Sequence, residues 1–216
     1  MSIWMEPSIH LSSTVLNAGV PLYQNLSFQQ HVSCTCQICY LELRRINSIY
    51  YYPSQDALKT LISAFVLSII DYCNSLLAGC PKQLINKLQK VQNNAARLIC
   101  RTPKTDHISP VHHTLQRLLV EQRFEYKLLL LAFKSVNNEG PWYLSDLKFY
   151  IPSQQLRSFS DSRLVRIPSF RLKTFGQRKF SYQASVLLNS VPISPCYSNS
   201  TFAFKAALET HLFPSH

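Results

Sequence analysis

Residues 81–104 read PKQLINKLQKVQNNAARLICRTPK, and this stretch decides the fold class. Pro81 is well suited to open a helix, because the N–H that proline lacks would be unpaired in the first turn anyway. Apolar side chains then recur at steps of three and four, the spacing of one helical face; they are Leu84, Leu88, Val91, Ala95 and Leu98. The stretch therefore predicts an amphipathic helix with one apolar seam.

The sequence upstream of residue 81 predicts two further helices. Ser27 is placed to cap the first, and an apolar stripe follows at steps of three and four; it contains Phe28, Val32, Cys36, Cys39, Leu43, Ile46 and Tyr50. Ser54 is placed to cap the second, with Asp56 in the first turn, where a negative charge suits the helix dipole. The apolar face of this second helix is wide enough to predict a central position, and Gly79 is its predicted C-terminal stop.

The sequence downstream of residue 104 predicts more helices and one segment of different character. Helices are expected from Ser109 to Leu115, over about 120–136 and over about 178–190, and Ser200 is placed to cap a last one over Phe202, Ala206 and Leu212. Residues 151–176 are rich in Ser, Pro and Arg, which favours short strands or an extended arm, and residues 15–26 are typical of the end of a sheet. The predicted fold is therefore mainly α, a helical bundle with a short β or irregular arm near 151–176.

Composition excludes several classes of protein. Of the 216 residues, 46% are apolar and 15% charged, which excludes a disordered chain and predicts one domain or two small ones. Four Gly against 12 Pro argue against a glycine-rich nucleotide-binding enzyme, and seven Cys, an odd number, argue against a disulfide framework. Residues 1–10 lack the pattern of a signal peptide, and the apolar run 61–70 is about half as long as a membrane span. We expect an intracellular protein of the nucleus or cytoplasm.

Positive charge is the strongest functional signal. Lys and Arg number 22 against 11 Asp and Glu, a net charge of +11 that favours polyanions or anionic membrane surfaces. One basic segment, without an acidic residue, contains Lys82, Lys87, Lys90, Arg97, Arg101 and Lys104. The other, interleaved with Phe159, Phe170 and Phe175, contains Arg157, Arg163, Arg166, Arg171, Lys173, Arg178 and Lys179. Both are predicted to contact phosphates of RNA or DNA; the alternative is a solvated basic surface over an apolar core.

Three other groups of reactive side chains carry weaker signals. Cys34, Cys36 and Cys39 near His31 lack the second ligand pair of a typical zinc site, so no metal or other cofactor is predicted. The histidines at 107, 112 and 113 lack a placed nucleophile, and Asp106 and Ser109 are expected to be turn and cap residues around Pro110. Asp71 ends an apolar helix and is expected to anchor a neighbouring Arg or backbone amide.

Seven short segments, spread over about residues 17–213, carry a family resemblance through their order and spacing. They are Asn25-Leu26-Ser27-Phe28 with His31-Val32; Asp71-Tyr72-Cys73-Asn74-Ser75-Leu76-Leu77; Leu88-Gln89-Lys90-Val91-Gln92-Asn93 with Ala95-Ala96-Arg97; Asp106-His107-Ile108-Ser109-Pro110-Val111; Tyr143-Leu144-Ser145-Asp146-Leu147; Leu172-Lys173-Thr174-Phe175-Gly176; and Phe202, Lys205, Leu208 and His211-Leu212-Phe213. Together they resemble the C-terminal part of LINE-type, non-LTR retrotransposon polyproteins, downstream of the reverse transcriptase palm.

This resemblance implies a division of the chain. Residues 1–26 would be a remnant of palm-edge strands, 27–147 a thumb-like helical domain, and 148–216 a basic C-terminal extension. In such polyproteins this region is thought to hold template RNA, primer or target DNA, so nucleic acid and an upstream palm are the implied partners. No membrane and no small-molecule substrate is expected as a partner.

No polymerase or nuclease activity is expected of this chain. The family's polymerase motif, Tyr-x-Asp-Asp, is absent, and none of the five Asp residues stands next to another acid, whereas polymerisation needs clustered carboxylates that hold two metal ions. The predicted function is therefore a non-catalytic, nucleic-acid-binding remnant of a reverse transcriptase. The alternative is a helical protein-interaction module or a non-functional fragment, in which the stripe from Phe28 to Tyr50 has lost its packing partner and favours self-association.

Overall fold

The computed structural model describes residues 14–23, 27–144, 147, 164–172, 176–191 and 200–213. These residues form a mainly helical structure with a short two-stranded antiparallel sheet near the N-terminus, which confirms the predicted fold class. The division of the chain at residues 26 and 147 stays a prediction.

The sheet is a hairpin of β1 (Thr14–Asn17) and β2 (Val20–Tyr23), in which Asn17 pairs with Val20. Both turn residues, Ala18 and Gly19, have positive φ angles of +47° and +75°, which is typical of a two-residue hairpin. Strand structure predicted for residues 15–26 is thus present over 14–23. Its assignment to the edge of a palm stays a prediction.

The helices follow the periodicity of the sequence, with the bounds α1 Gln29–Ser48, α2 Gln55–Ile62, a π-helical turn Ser63–Leu67, α3 Ser68–Asp71, a 3-10 turn Asn74–Leu77, α4 Lys82–Cys100, α5 Ser109–Thr114, α6 Val120–Val136, a 3-10 turn Trp142–Leu144, α7 Phe180–Ser190 and α8 Thr201–Leu212. Two predicted caps are confirmed, because the hydroxyls of Ser54 and Ser200 accept hydrogen bonds from backbone N–H groups three residues on, at 3.3 and 3.2 Å. The predicted cap at Ser27 is wrong: Phe28 occupies the cap position of α1, without a side-chain hydrogen bond.

The helix that Ser54 caps ends earlier than the sequence predicts. The π-helical turn joins α2 to α3, and the helix stops at Asp71 rather than near Gly79. Tyr72 leaves the helix in an extended conformation, and Cys73 after it takes the left-handed conformation, with a φ of +53°. Gly79, with a φ of +74°, lies beyond the following 3-10 turn. A non-glycine residue in the left-handed region therefore marks the end of this helix.

Two helix faces are rotated from the predicted ones. In α4, Leu84 and Leu98 are only partly buried, and the buried face consists of Ile85, Leu88, Val91, Gln92, Ala95, Ala96 and Ile99. In α8, Phe202 is 83% exposed and Ala206 is also exposed, whereas the predicted position Leu212 is buried together with Phe204 and Leu208. Each helix carries two overlapping apolar rows, and tertiary packing against neighbouring helices selects one of them.

Two apolar cores hold the described residues together. The first contains buried side chains of β2, α1, α2, the π-helical turn, α3 and α4, together with Val120 and Phe124 of α6. The second is built from α7, α8 and the later part of α6, where the rings of Phe133 and Phe204 stack with centroids 4.1 Å apart. Helix α6 therefore takes part in both cores.

The apolar stripe of α1 is covered within the chain. Phe28, Val32, Cys36, Cys39, Leu43 and Ile46 are all buried, and α1 packs against α4. The suggestion that this stripe has lost its packing partner is therefore wrong. Self-association through this stripe would require the first core to open.

The predicted arm is described in part. Residues 151–163 and 173–175 lie outside the described residues, and residues 164–172 are irregular. The backbone N–H of Val165 donates to Oδ1 of Asn189 in α7, and Nδ2 of Asn189 donates to the Val165 carbonyl, both at 2.9 Å. The side-chain amide of Asn189 thus pairs with both backbone groups of Val165 and fixes this segment against α7.

Candidate nucleic-acid interface

The lysines of α4 lie opposite its buried face. With about 100° of rotation per residue, the buried side chains of α4 cover an arc of about 140°, and the basic positions 82, 87, 90, 97 and 101 cover the arc on the other side. Lys82, Lys87 and Lys90 are exposed. The helix therefore presents a basic face, defined here as Lys82, Lys87 and Lys90, that points away from the first core.

The basic face has no ion-pair partner in the part of the chain that the structure describes. The three ion pairs found there join Arg45 to Glu42, Lys59 to Asp56 and Arg123 to Asp71. On a helix face that contacts only solvent, basic side chains are usually neutralised by neighbouring carboxylates. An uncompensated row of lysines instead keeps its full attraction for anions.

The other cations at the end of α4 have contacts within the chain. The guanidinium of Arg97 donates to the carbonyl of Pro103, and to that of Asp106 at 2.7 Å, and so fixes the loop that follows the helix. Arg101 ends α4 in the left-handed conformation, and its guanidinium carbon lies 4.8 Å from the centre of the Tyr50 ring. Lys104 is exposed in the loop. Of the six cations predicted for this segment, two have contacts within the chain, the partly buried Arg97 and the exposed Arg101. The other four, Lys82, Lys87, Lys90 and Lys104, are exposed.

The second predicted basic segment is described at four of its seven cations. Arg157, Arg163 and Lys173 lie outside the described residues, whereas Arg166, Arg171 and Lys179 are exposed and Arg178 is partly buried. Arg178 lines a cavity of about 260 Å³ together with Lys87 of α4 and Cys80. The fold therefore brings the two basic segments together at this cavity.

The described aromatic of this segment packs within the chain. The Phe170 ring meets Tyr182 of α7 edge to face, with centroids 5.0 Å apart. It also lies against Gly176, where an added Cβ would clash with the side chain of Phe170. Phe170 therefore acts chiefly as a packing residue. Phe159 and Phe175 lie outside the described residues.

A polar network that the sequence reasoning missed joins α4 to the segments after it. Gln92 is 1% exposed, and its Nε2 donates to the carbonyl of Leu118 at 2.8 Å. Gln89 Oε1 accepts from the backbone N–H of Val120 at 2.9 Å, in the first turn of α6. Oδ1 of Asn93 lies 2.8 Å from both Gln89 Nε2 and His112 Nε2. The Gln89–Asn93 stretch of the family resemblance therefore fastens α5 and α6 to α4.

Asp71 anchors an arginine, as the sequence predicted. Arg123 Nε donates to Oδ1 of Asp71 at 2.8 Å, and Nη2 donates to Oδ2, so the pair is bidentate. The pair joins the end of α3 to α6 and adjoins a cavity of about 430 Å³ that Arg117 and Lys127 also line. The pKa of Arg117 is lowered by burial and by the charge of Arg123.

The cysteine cluster separates on α1. Cys34 is exposed, whereas Cys36 and Cys39 are buried, and burial raises the pKa of Cys39 to about 12. Burial also lowers the pKa of His31. Among the described residues there is no group of three or more His, Cys, Asp or Glu side chains that could hold a metal ion.

Comparison with known proteins gives no relative. No family model, curated protein or solved structure matches this chain. Within the described ranges, no helix is both long and apolar enough to cross a membrane. The function is therefore argued from the geometry of the basic face and from the sequence resemblance.

Proposed function

We propose that the chain is a non-catalytic module that binds nucleic acid and contacts the phosphates of RNA or DNA through its basic helices. The observation that supports this most strongly is the basic face of α4, whose three lysines are exposed and make no ion pair within the described residues. Cations of this kind bind phosphates and release the condensed counterions of the polyanion. The convergence of Lys87 and Arg178 at one cavity supports the same role for the second segment.

The length of the basic helix fits an extended polyanion. From Lys82 to Lys90 the helix rises about 12 Å, at about 1.5 Å per residue. This distance corresponds to about three to four nucleotide steps along one strand of a duplex. A small anion could contact only one end of such a row, so a polymer is the better partner.

Salt dependence of binding is the direct test of this proposal. We expect a labelled oligonucleotide to bind the intact chain at low salt, with an affinity that falls steeply as salt rises. The slope of log affinity against log salt is negative, and each lost phosphate contact makes it shallower by about 0.9 for a duplex and about 0.7 for a single strand. The joint substitution Lys82→Gln, Lys87→Gln and Lys90→Gln should therefore make the slope shallower by about 2 to 3.

A matched variant controls for net charge. The joint substitution Lys127→Gln, Lys134→Gln and Lys205→Gln removes the same number of positive charges, but from α6 and α8. This variant should keep most of the slope of the intact chain, because charges away from the interface make no phosphate contact. Equal slopes for the two variants, or no binding by the intact chain at low salt, would contradict the proposal.

The resemblance supports a proposed origin for such a module. We propose that the chain derives from the region after the palm of a LINE-type reverse transcriptase, which held template RNA, primer or target DNA. The Asp71–Leu77 and Leu88–Arg97 segments that carry the resemblance also contain the arginine anchor and the polar network described above. Reading the transcript and the DNA upstream of Met1 tests this: an in-frame palm with Tyr-x-Asp-Asp would make the chain the tail of a polymerase, and stop codons or unrelated sequence would make it an orphan remnant whose activity is salt-dependent binding.

A further inference from the structure

Two tyrosine rings stand almost fully in solvent between α1 and α2. Tyr51 is 86% exposed and Tyr52 is 89% exposed. The Tyr51 ring meets Tyr50 edge to face, with centroids 5.2 Å apart and an interplanar angle of 75°. Sequence periodicity marks these residues only as the end of a helix. Rings that packed the core would be buried, so neither ring takes part in the first core.

Tyr50, whose ring touches that of Tyr51, lies at the end of the basic helix. Arg101, the last residue of the α4 row, places its guanidinium 4.8 Å from the centre of the Tyr50 ring, a cation–π contact. The left-handed backbone of Arg101, with a φ of +55°, sets the position of this side chain at the helix end. Lys104 is exposed three residues later. Positive charge and exposed aromatic surface are therefore continuous at this end of the molecule.

The combination of exposed aromatic rings and neighbouring cations favours one class of ligand. Exposed aromatic rings beside a row of cations form the usual surface for single-stranded nucleic acid, because bases stack on the rings while cations follow the backbone. Bases paired inside a duplex are stacked on one another and offer no free face. A duplex can therefore use the cations alone, whereas an unpaired strand can use both features.

We propose that Tyr51 and Tyr52, here called the tyrosine platform, stack unpaired bases of a single strand whose phosphates lie along α4. This inference rests on the proposed nucleic-acid function and adds to it the class of ligand. It predicts that the chain binds a single strand more tightly than a duplex of the same length. The chemistry is shared by RNA and DNA, so both enter the test.

The experiment compares four labelled ligands, single-stranded and duplex RNA and DNA of about twelve nucleotides, with the intact chain. The variant Tyr51→Ala/Tyr52→Ala should lose about fivefold or more in affinity for each single strand. Its duplex affinity and its salt slope should match those of the intact chain, because no cation is removed. Tyr51→Phe/Tyr52→Phe should restore single-strand binding, since the rings stack without their hydroxyls.

A second exposed aromatic pair provides the control. Trp142 and Tyr143 are 86% and 65% exposed and also meet edge to face, with centroids 5.9 Å apart. Trp142→Ala/Tyr143→Ala should leave single-strand affinity unchanged, and circular dichroism checks that every variant is folded. If the platform variant binds single strands as well as the intact chain does, the platform is refuted while phosphate binding stands. If the intact chain binds none of the four ligands at low salt, both proposals fail.

Discussion

Replacement of Gln92 by leucine tests whether the polar network fastens α4 to the later helices. Gln92 is 1% exposed, and its amide donates to the carbonyl of Leu118 at 2.8 Å. Leucine has a similar volume but donates nothing, so the substitution leaves that carbonyl without this bond. We expect Gln92→Leu to lower the free energy of unfolding without changing the fold.

The magnitude follows from two contributions. The lost hydrogen bond is worth about 1 kcal/mol, and a buried carbonyl left unpaired costs about 1 to 3 kcal/mol. The more apolar leucine side chain offsets part of this on burial. We expect a net loss of about 2 kcal/mol, which for a chain of this size lowers the melting temperature by about 4 to 8 °C.

Urea unfolding followed by circular dichroism measures the change, with Gln83→Leu as the control. Gln83 stands on the same helix but is exposed, so the same substitution there should change stability by less than about 0.5 kcal/mol. A Gln92→Leu variant within that same margin of the intact chain would refute the network as a stabilising element. If the slope of the unfolding free energy against urea concentration is unchanged, both variants unfold from the same compact state.

Three further predictions concern single features of the fold. A double-mutant cycle with Asp71→Asn and Arg123→Gln should give a coupling free energy of about 1 to 2 kcal/mol, because the pair is bidentate and partly buried; a value near zero, as expected for the surface pair of α2, would show that it anchors nothing. Burial lowers the pKa of His112 in the folded chain, so its contribution to stability should be complete above about pH 6.5 and lost as pH falls below that value; His112→Gln should decline less on acidification in urea titrations, and parallel curves would argue against a buried neutral histidine. Alkylation of the native chain, mapped by mass spectrometry, should modify exposed Cys34 first, whereas Cys39, whose pKa is raised to about 12, should react only on unfolding; early loss of the Cys39 thiol would mean that the first core opens.

Local signals in the sequence predicted much of the fold. Ser54 and Ser200 cap their helices because a hydroxyl followed by apolar periodicity is a strong local signal, and α6 has the predicted bounds of residues 120 and 136. The stop at Asp71 could not be predicted, since the left-handed residue that follows is Cys73 rather than glycine. The burial of Gln92 was equally hidden, because its partner carbonyl is brought close only by the tertiary fold.

The candidate interface was predictable as a list of cations but not as a surface. Charge counting located Lys82, Lys87 and Lys90, and the structure adds that they are exposed on one side of α4. Charge counting could not show that Arg97 donates hydrogen bonds to the loop after its own helix. Nor could it place Tyr50 under Arg101, since this contact joins segments far apart in sequence.

Because helix α6 is shared by both cores, the halves of this chain are not interchangeable modules. A recombination event or a truncation between residues 147 and 164 would remove α7 and α8 and leave Ala132 and Phe133 uncovered. The exposed face would then recruit chaperones, proteases or other copies of the chain. Selection for a soluble product would therefore retain or discard the region from α1 to α8 as a single unit.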